Sequence, residues 1–469
     1  MNAPSPPRSE RTLLHLGLGS FHRAHQAVYL HRLRESGDRS WAIVAGNIRA
    51  DMEATAAALA AQHGAYTLET VTPAGARHYE RITSIREVVP WEPTLARLVE
   101  VGAEASTGIV SFTVTEAGYY LDAHDRLDRS HPDVQADLAG RSRATVYGAV
   151  AAILGARMRG GAGAVTLLNC DNLRSNGTRF RAGLLDFLAA RGEAALRQWT
   201  ETHAACPCAM VDRITPRPPP DVAERVKAAT GVDDAAPVMA ESFIQWVVED
   251  RFLAGRPAWE RVGVEMVASV HAHEEAKIRI LNASHSCIAW AGTLRGLSFI
   301  HEGMAVPAIR EMAWHYVTDD VIPCLDRPAH PAPIDLAAYR DSVLDRFGNS
   351  FVRDTNQRVA MDGFSKIPGF IAPTLRERIA RGESIASTAM LPALFLAFLA
   401  RWHRGELAYA YQDGAMDAAT AHAFFAASDP VLAFCRDPLL WTDLAGHPAL
   451  VAAVREAYGR VQAFITRGD

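Results

Sequence analysis

The spacing of apolar residues changes near residue 270 and divides the chain into two parts. Before that point, short runs of β-branched and aliphatic residues alternate with stretches in which apolar positions recur every three or four residues. This alternation of strand and helix patterns is typical of a parallel sheet covered by helices. After that point the spacing is almost entirely helical. We therefore predict an α/β domain over residues 1–268 and a mainly α-helical domain over residues 269–469.

The first predicted strand ends in a glycine turn. Residues 12–19 form a short apolar run closed by Gly17 and Gly19, and a helical pattern follows as far as Gly37. A strand, a Gly-x-Gly turn and a helix bring backbone N–H groups close to a pyrophosphate, as in Rossmann-type dinucleotide-binding domains. The third glycine of that fingerprint is replaced by His22, so an ordinary tight turn remains the alternative.

The second strand pattern covers residues 41–47, where dinucleotide-binding folds place the group that recognises the ribose. Asp51 follows this strand and can accept hydrogen bonds from the adenosine ribose while repelling a 2′-phosphate. Arg49 would instead attract that phosphate or stack on adenine. We expect NAD as the cofactor, and Arg49 leaves NADP open as the alternative.

Two later strand patterns end in polar residues. The run over 109–120 leads into Thr115 and Glu116, and the run over 164–177 contains Asn172 just after its apolar part. Ligands bind beyond the carboxyl ends of parallel strands, so these residues are candidates for the nicotinamide side of a site. Asn is also a common turn residue, which is the simpler interpretation of Asn172.

Other patterns complete the expected elements. Residues 65–73 and 77–85 predict antiparallel additions to the sheet, and residues 242–267 predict a helix followed by strand-like pieces. The helical segments expected in the second domain are 304–318, 335–347, 371–382, 387–403, 418–427 and 448–466.

A helical pattern over residues 274–292 carries the side chains best suited to acid–base chemistry. At about 100° per residue, Lys277, Asn282 and His285 fall within an arc of roughly 140°. An amine, an amide donor and an imidazole aimed at one point suit proton transfer at a hydroxyl or a carbonyl. The alternative is a half-buried helix whose polar residues face solvent.

Composition narrows the class of protein. The 469 residues carry a net charge of −5 and no long run of Lys or Arg. No apolar segment reaches the ~18 residues needed to span a bilayer, so we expect neither a nucleic-acid partner nor a membrane. Six cysteines do not make a disulfide framework, and the pair in Cys206-Pro207-Cys208 lacks a second pair at zinc spacing. A cytoplasmic protein without a bound metal fits this composition.

Five motifs, in this order, resemble the mannitol dehydrogenase family of long-chain polyol dehydrogenases. They are GLGSFHRAHQ at 17–26, CDNLRSNG at 170–177, AMVDRITP at 209–216, KIRILNASH at 277–285 and RVAMDGFSKIPGF at 358–370. The resemblance implies a Rossmann-type N-terminal domain and a largely helical C-terminal domain. It also implies a nicotinamide cofactor, a small polyol or ketose as substrate, and a monomer or weak oligomer.

The resemblance assigns roles to individual residues. It makes Lys277 the catalytic base, Asn172 and Asn282 the donors to the reacting oxygen, and His285 a substrate contact. It adds Asp212, Arg358 and Lys366 as substrate contacts, although a local salt bridge or a surface charge is the simpler interpretation of each. The cofactor is expected against Gly17, Gly19, Ser20, Phe21, Arg49, Asp51, Thr115, Glu116 and Asn172.

The reaction expected is oxidation of a secondary hydroxyl to a ketone. Lys277 takes the hydroxyl proton while hydride leaves the same carbon for the nicotinamide. The pKa of a lysine is ~10.4 in water, so burial and the positive nicotinamide must lower it for this task. Three stretches most resemble family members that act on D-arabinitol, namely HLGLGSFHRAHQAVYLHRL at 15–33, GNIRADM at 46–52 and FTVTEAGYYLD at 112–122. Members that act on D-mannitol and hexuronate reductases, where Arg358 could pair with a carboxylate, are the alternatives, and a non-catalytic dinucleotide sensor is the alternative from another class.

Overall fold

Contacts within the chain define two units. The computed structural model describes residues 10–122 and 126–466. The first unit extends to His271, except for Pro73–Gly75, which group with the second unit from Ala272 onward.

In the described part of the first unit, twelve strands form three sheets. In chain order they are β1 (Arg11–Leu16), β2 (Trp41–Gly46), β3 (Tyr66–Val71), β4 (Arg77–Ile82), β5 (Ile85–Val89), β6 (Thr107–Phe112), β7 (Val165–Asn169), β8 (Ala204–Ala205), β9 (Ala209–Asp212), β10 (Val238–Glu241), β11 (Gln245–Glu249) and β12 (Glu265–Val267). The large sheet has the order β5-β2-β1-β6-β7-β8, and all its pairs are parallel. The strand order reverses at β1, so a crevice opens at the carboxyl ends of β1, β2 and β6.

Both faces of the large sheet are buried. Leu13 and Ile43 belong to the apolar core on one face, whereas Leu14 and Val44 belong to the core on the other. Successive side chains of a strand point to opposite faces, so continuous apolar runs such as β1 require helices on both sides. The α-helices of the described part of this unit are Ser20–Ala24, Gln26–Glu35, Glu53–Ala61, Ala96–Ala103, Pro132–Leu138, Val146–Gly160, Asn176–Ala190, Ala194–His203 and Val222–Thr230, the last of which packs on β3 and β4. The predicted Rossmann-type fold is confirmed.

The smaller sheets bear out one prediction in part and correct another. β3 and β4 pair antiparallel as expected, but they form a separate sheet with β10 and are not additions to the large sheet. The helix expected at the start of residues 242–267 was wrong, because β11 occupies that position. Trp246, Val247 and Val248 are all buried there, with β9 on one side of β11 and β12 on the other.

The second unit is helical, as predicted. Its α-helices are His271–Ala276, Ala283–Leu294, Ile300–Ala305, Pro307–His315, Ile322–Leu325, Leu336–Phe347, Asn356–Ala360, Gly363–Lys366, Ala372–Ala380, Met390–His403, Ala418–Ala426, Pro430–Cys435, Pro438–Trp441 and Pro448–Thr466. The described residues also include π-helical segments at Lys277–Asn282, Tyr316–Val321 and Ile367–Ile371. The first of these contacts both of the others. π-helical turns are rare and occur frequently at functional sites.

Two further properties concern the described residues as a whole. The six cysteines, all of them described, are buried, and none forms a disulfide bond. In residues 10–122 and 126–466, no helix has both the length and the apolar character required to cross a bilayer.

Candidate active site

The glycine turn at the end of β1 has the geometry that the dinucleotide fingerprint requires. Gly17 has φ of +133°, a conformation that favours glycine, and its N–H donates to the carbonyl of Gly46 at 2.8 Å. A Cβ atom on Gly17 would lie 3.4 Å from the carbonyl oxygen of Thr113. A Cβ on Gly19 would meet no atom within 4 Å, so the backbone there borders open space. The turn therefore leaves room for a ligand to approach the main chain.

A cleft of about 590 Å³ opens beside this turn. Five of the predicted cofactor residues line it together, namely Gly17, Gly19, Arg49, Asp51 and Thr115. The cleft also has polar lining residues that the sequence did not point to, among them Asn47, Tyr120, His131 and Asp133. Its size and its position at the reversal of strand order fit a dinucleotide.

Arg49 is held by an ion pair on the wall of this cleft. Its guanidinium donates to Asp133 at 2.9 Å and to the hydroxyl of Tyr120 at 3.3 Å. The hydrogen bond from Arg49 outweighs the effect of desolvation and holds the pKa of Asp133 below its ordinary value. Asp51 lies exposed in the same cleft. The cleft thus presents one carboxylate beside an arginine whose charge another carboxylate already balances.

The other predicted cofactor residues lie outside the lining of this cleft. Ser20 begins the helix after the glycine turn. Phe21 packs on the core and stacks on His25, with ring centroids 5.0 Å apart. Glu116 begins a 3₁₀ turn, and Asn172 is exposed in the turn after β7. Their contact with a cofactor stays a prediction.

Asp171, the neighbour of Asn172, anchors the loop that follows β6. Its Oδ1 accepts hydrogen bonds from the N–H groups of Val114 at 2.8 Å and Thr115 at 2.7 Å, and its Oδ2 accepts from the hydroxyl of Tyr119 at 3.0 Å. Thr115 has φ of +62°, which a non-glycine residue adopts only when its surroundings hold it there. Burial raises the pKa of Asp171 to about 7, against the opposing effect of these donors. The loop is therefore tied to the strand end that carries Asn172.

His22, at the position of the third fingerprint glycine, is buried against β1. Its ring stacks on that of His15 with centroids 3.4 Å apart and planes 10° apart. His15 in turn pairs through Nδ1 with the hydroxyl of Ser111 at 2.7 Å. Burial lowers the pKa of His22 to about 3 and that of His15 well below its ordinary value. Both rings are therefore neutral near pH 7 and serve as packing between the helix and the sheet.

In the second unit, the helix that carries Lys277 differs from the predicted one. A single α-helix over 274–292 would set Lys277 and Asn282 roughly 140° apart around its axis. The π-helical segment Lys277–Asn282 replaces it, and in such a segment the hydrogen-bonded repeat is five residues. Lys277 and Asn282 are five residues apart, so they project from nearly the same side of the helix. Lys277 is buried and Asn282 is half-buried.

His285 lies beside two charged residues of the second unit. Its Nε2 is 3.2 Å from Oδ2 of Asp354, and its ring stacks on Phe347 with centroids 4.4 Å apart. Arg358 donates through Nε to Oδ1 of Asp354 at 2.8 Å and through Nη2 to Oδ2 at 2.6 Å. Asp354 is thus shared by two residues that the sequence had marked as substrate contacts.

The charges of this cluster follow from its burial. Burial opposes ionisation of Asp354, but contacts with His285 and Arg358 outweigh it and hold the pKa of its carboxyl well below the ordinary value. Burial lowers the pKa of His285, and the charges of Arg358 and Lys366 lower it further. Asp354 raises this pKa but does not offset the other effects. Near pH 7 the cluster therefore contains a neutral imidazole, a carboxylate and a guanidinium.

Close packing of two helices places Asp354 beside His285. Gly292, two turns after His285, faces Asn356, and a Cβ on Gly292 would lie 2.6 Å from Nδ2 of that residue. Asn356 is itself fixed because Nδ2 donates to the carbonyl of Leu297 at 3.0 Å. Glycine at position 292 therefore permits the approach of the segment that begins with Asp354.

The last two predicted substrate contacts lie in different units. Lys366 donates through Nζ to the carbonyl of Val359 at 2.7 Å, within the second unit. Asp212 is the buried last residue of β9 in the first unit. Arg213 beside it donates to the carbonyl of Glu241 at 3.0 and 2.8 Å.

Sequence reasoning missed three acidic residues at these sites, namely Asp133, Asp171 and Asp354. Only two of them stand in a sequence context that could have pointed to them. Asp171 lies inside the CDN motif, and Asp354 stands four residues before Arg358, a spacing at which charged residues on a helix meet. Asp133 lies 84 positions from Arg49, so no local pattern could connect them.

The first unit has a cleft at the switch point of a parallel sheet, and the second has a buried amine aligned with an amide. These two features define a class of protein. It is a dinucleotide-dependent oxidoreductase that interconverts hydroxyl and carbonyl groups. Comparison with known proteins makes the assignment specific. The Rossmann domain of mannitol dehydrogenase matches residues 11–261, and the C-terminal domain of mannitol dehydrogenase matches residues 269–462. The chain belongs to the mannitol dehydrogenase family and is an oxidoreductase acting on the CH–OH groups of polyols.

Individual relatives match almost the full chain. The D-arabinitol 4-dehydrogenase of Ralstonia nicotianae is 64% identical, with 96% of this chain and 97% of the relative covered. The D-arabinitol 4-dehydrogenase of Klebsiella pneumoniae is 56% identical, with 97% and 99% covered. Among solved structures, the Pseudomonas fluorescens mannitol 2-dehydrogenase ternary complex with NAD and D-mannitol matches with a TM-score of 0.85 and 33% identity, over 97% of this chain and 94% of that one.

Proposed function

We propose that this enzyme oxidises D-arabinitol at C4 to D-xylulose, with NAD as the hydride acceptor. One observation carries the proposal. Identity to two D-arabinitol 4-dehydrogenases is 64% and 56% over nearly complete chains, whereas identity to the structurally similar mannitol 2-dehydrogenase is 33%. Both groups share the polyol chemistry, so the difference bears on which polyol is preferred.

The choice of NAD over NADP is supported by the charges of the cleft. Asp51 would repel a 2′-phosphate and accept hydrogen bonds from a free ribose diol. Arg49 is the cation in the cleft best placed to attract that phosphate, but its charge is balanced by Asp133 at 2.9 Å. The unbalanced charge at this end of the cleft is therefore the carboxylate of Asp51, which suits a dinucleotide without the extra phosphate.

The catalytic roles proposed rest on the π-helical segment. The bound nicotinamide supplies the hydride acceptor. Lys277 takes the proton of the reacting hydroxyl, for which its amine must be neutral, and burial favours the neutral form. Asn282, on the same side of the helix, donates to the developing alkoxide, and Asn172 is the second donor. A donor of this type contributes roughly 3 kcal/mol of transition-state stabilisation.

The remaining substrate contacts would hold the other hydroxyl groups of the chain. His285 is proposed to position the hydroxyl next to the reacting carbon. Arg358, Lys366 and Asp212 are proposed as contacts to hydroxyls farther along the substrate. Neutral imidazole, amide and paired charges suit a substrate that is polar and uncharged.

Initial rates of NAD reduction with D-arabinitol, D-mannitol and D-sorbitol, repeated with NADP, test the proposal. We expect the highest kcat/KM for D-arabinitol with NAD. A higher kcat/KM for D-mannitol would contradict the substrate assignment while leaving the cofactor and the roles of Lys277 and Asn282 in place. A preference for NADP would contradict the interpretation of Asp51 and Arg49.

A further inference from the structure

Asp354 is the central residue of the cluster in the second unit. Its side chain is 9% exposed, whereas that of its partner Arg358 is 63% exposed. Both carboxylate oxygens accept from Arg358, and one of them also faces His285. Asp354 thus occupies the edge of the guanidinium that is formed by Nε and Nη2. Arginine binds carboxylates in bidentate fashion by two such edges, and this is one of them.

We propose that Asp354 is a specificity-determining residue that makes this site select neutral polyols and exclude polyhydroxy carboxylates. The proposal rests on the proposed polyol oxidation and specifies its substrate class. Asp354 acts through Arg358 and His285, so it is a positioning residue that also sets the charge of the site.

The charge of the pair gives the first reason. Arg358 alone would present a positive, largely exposed group to a ligand, and a substrate carboxylate would pair with it. With Asp354 bound in bidentate fashion, the pair is neutral overall. A ligand carboxylate that approached Arg358 would also meet the negative charge of Asp354, and like charges brought together in this way penalise the wrong ligand.

The geometry of the neighbouring groups gives the second reason. His285 is held between Asp354 and the ring of Phe347, and its lowered pKa leaves it neutral. Lys366 donates its ammonium to the carbonyl of Val359 at 2.7 Å. The cluster therefore offers hydrogen-bonding groups suited to hydroxyls, and its cations are engaged by acceptors of the protein itself.

The test compares an acid with its neutral isostere. D-Arabinonate and D-arabinonamide have the same carbon skeleton and differ in the charge of one terminal group. Each is assayed as an inhibitor competitive with D-arabinitol. For the wild-type enzyme we expect the amide to have an inhibition constant at least about tenfold lower than that of the acid. Equal inhibition by acid and amide would overturn the proposal, and this comparison needs no variant.

The variant Asp354→Asn gives the complementary measurement. It keeps the shape of the side chain and removes its charge, so we expect the inhibition constant of the acid to fall by about tenfold while that of the amide changes little. In the double variant Asp354→Asn/Arg358→Gln, this gain should disappear. An inhibition constant for the acid that is unchanged in a folded Asp354→Asn enzyme would contradict the proposal.

A matched control is Asp443→Asn. Asp443 also forms a bidentate pair with an arginine, Arg376, on the surface of the same unit. This variant changes the net charge by the same amount, and we expect both inhibition constants to stay at their wild-type values. If D-arabinitol is not the substrate, the enzyme without inhibitor will not oxidise it. That result is distinct from a failure of the proposed role of Asp354. The acid and amide of the polyol that the enzyme does oxidise would then replace the arabinitol pair.

Discussion

Lys277 and Asn282 lie five residues apart on a π-helical segment and therefore project from nearly the same side of the helix. In a regular α-helix the same two residues would diverge by roughly 140°. The change in helical repeat thus aligns an amine with an amide donor, as a base and an oxyanion donor acting on one hydroxyl require.

On the proposed mechanism, turnover depends most on Lys277. Lys277→Ala removes the proposed base, so we expect kcat to fall by about 10³-fold, within the range that general bases contribute. Binding of NADH, followed by quenching of tryptophan fluorescence, should be nearly unchanged. Lys227→Ala, an exposed lysine paired with Asp233 in the first unit, is the control and should keep full activity. A Lys277→Ala enzyme with a tenth of wild-type activity would refute the role.

Asn282→Ala tests the second half of the alignment. Loss of one donor to a developing alkoxide costs about 10²-fold in kcat, with a smaller effect on KM because the donor acts mainly in the transition state. The matched control is Ser286→Ala, which removes the hydrogen bond from Ser286 to the carbonyl of Asn282 and leaves the amide in place. Equal kcat values for the two variants would contradict the proposed role of Asn282.

The pair of Arg49 and Asp133 predicts a route to a changed cofactor. Asp133→Asn removes the carboxylate that balances Arg49, so kcat/KM with NADP should rise relative to that with NAD. Adding Asp51→Ser should raise the ratio of kcat/KM with NADP to kcat/KM with NAD further. The two substitutions together should raise this ratio by about tenfold or more. Arg49→Gln in that double variant should reverse the gain. A ratio that does not respond to Asp133→Asn would show that Arg49 does not face the ribose end of the cofactor.

Asp171 is expected to set the affinity for the cofactor through the loop it holds. Asp171→Ala leaves the N–H groups of Val114 and Thr115 without their acceptor, at a cost of about 1–3 kcal/mol. We expect the KM for NAD to rise by about tenfold or more. Asp171→Asn retains an oxygen that can accept both hydrogen bonds, so its KM should stay close to that of the wild type. A KM that is equally high in both variants would assign the effect to charge and contradict the proposed anchor.

The buried imidazole of His22 predicts a dependence of stability on pH. Its pKa is about 3 in the folded protein and lies near 6.5 in the unfolded chain, so the unfolded chain binds an extra proton between these values. The free energy of unfolding should therefore decline as pH falls below about 6.5. The contribution of this residue approaches ~1.4 kcal/mol per pH unit.

Urea unfolding of His22→Phe at several pH values between 7 and 5 measures this contribution. Phenylalanine keeps an aromatic ring against His15. The free energy of unfolding should therefore decline less steeply with falling pH, by the slope that corresponds to about one bound proton. His330→Phe, at an exposed position in the second unit, should leave the slope as in the wild type. Equal slopes for wild type and His22→Phe would contradict the interpretation.

Local patterns in the sequence were enough to predict the fold class. The strand that ends at Gly17, the polar strand ends and the change to helical spacing are each encoded within a few residues, and the structure confirms the architecture. The strand Gln245–Glu249 was misassigned because its apolar residues suit a helix as well as a strand. Pairing of Trp246 with Val211 decides the matter, and that contact spans 35 positions of the chain.

The arrangement of the candidate site was less accessible to sequence reasoning. A π-helical turn leaves the same apolar pattern as an α-helical one over a single turn, so the alignment of Lys277 with Asn282 could not be predicted. The contact of Asp354 with His285 spans 69 positions of the chain, so no local pattern connects these two residues. The motifs identified the candidate side chains of the site, but tertiary packing determines which acceptor each of these side chains contacts.

The product formed from D-arabinitol is the decisive test of the proposed oxidation at C4 and of the role of Lys277. The wild-type enzyme and Lys277→Ala are each incubated with D-arabinitol and NAD, and the ketose is identified by NMR while NADH is measured. We expect one D-xylulose for each NADH with the wild type and almost no ketose with Lys277→Ala. Formation of D-ribulose, or of as much ketose without Lys277 as with it, would contradict the proposed reaction.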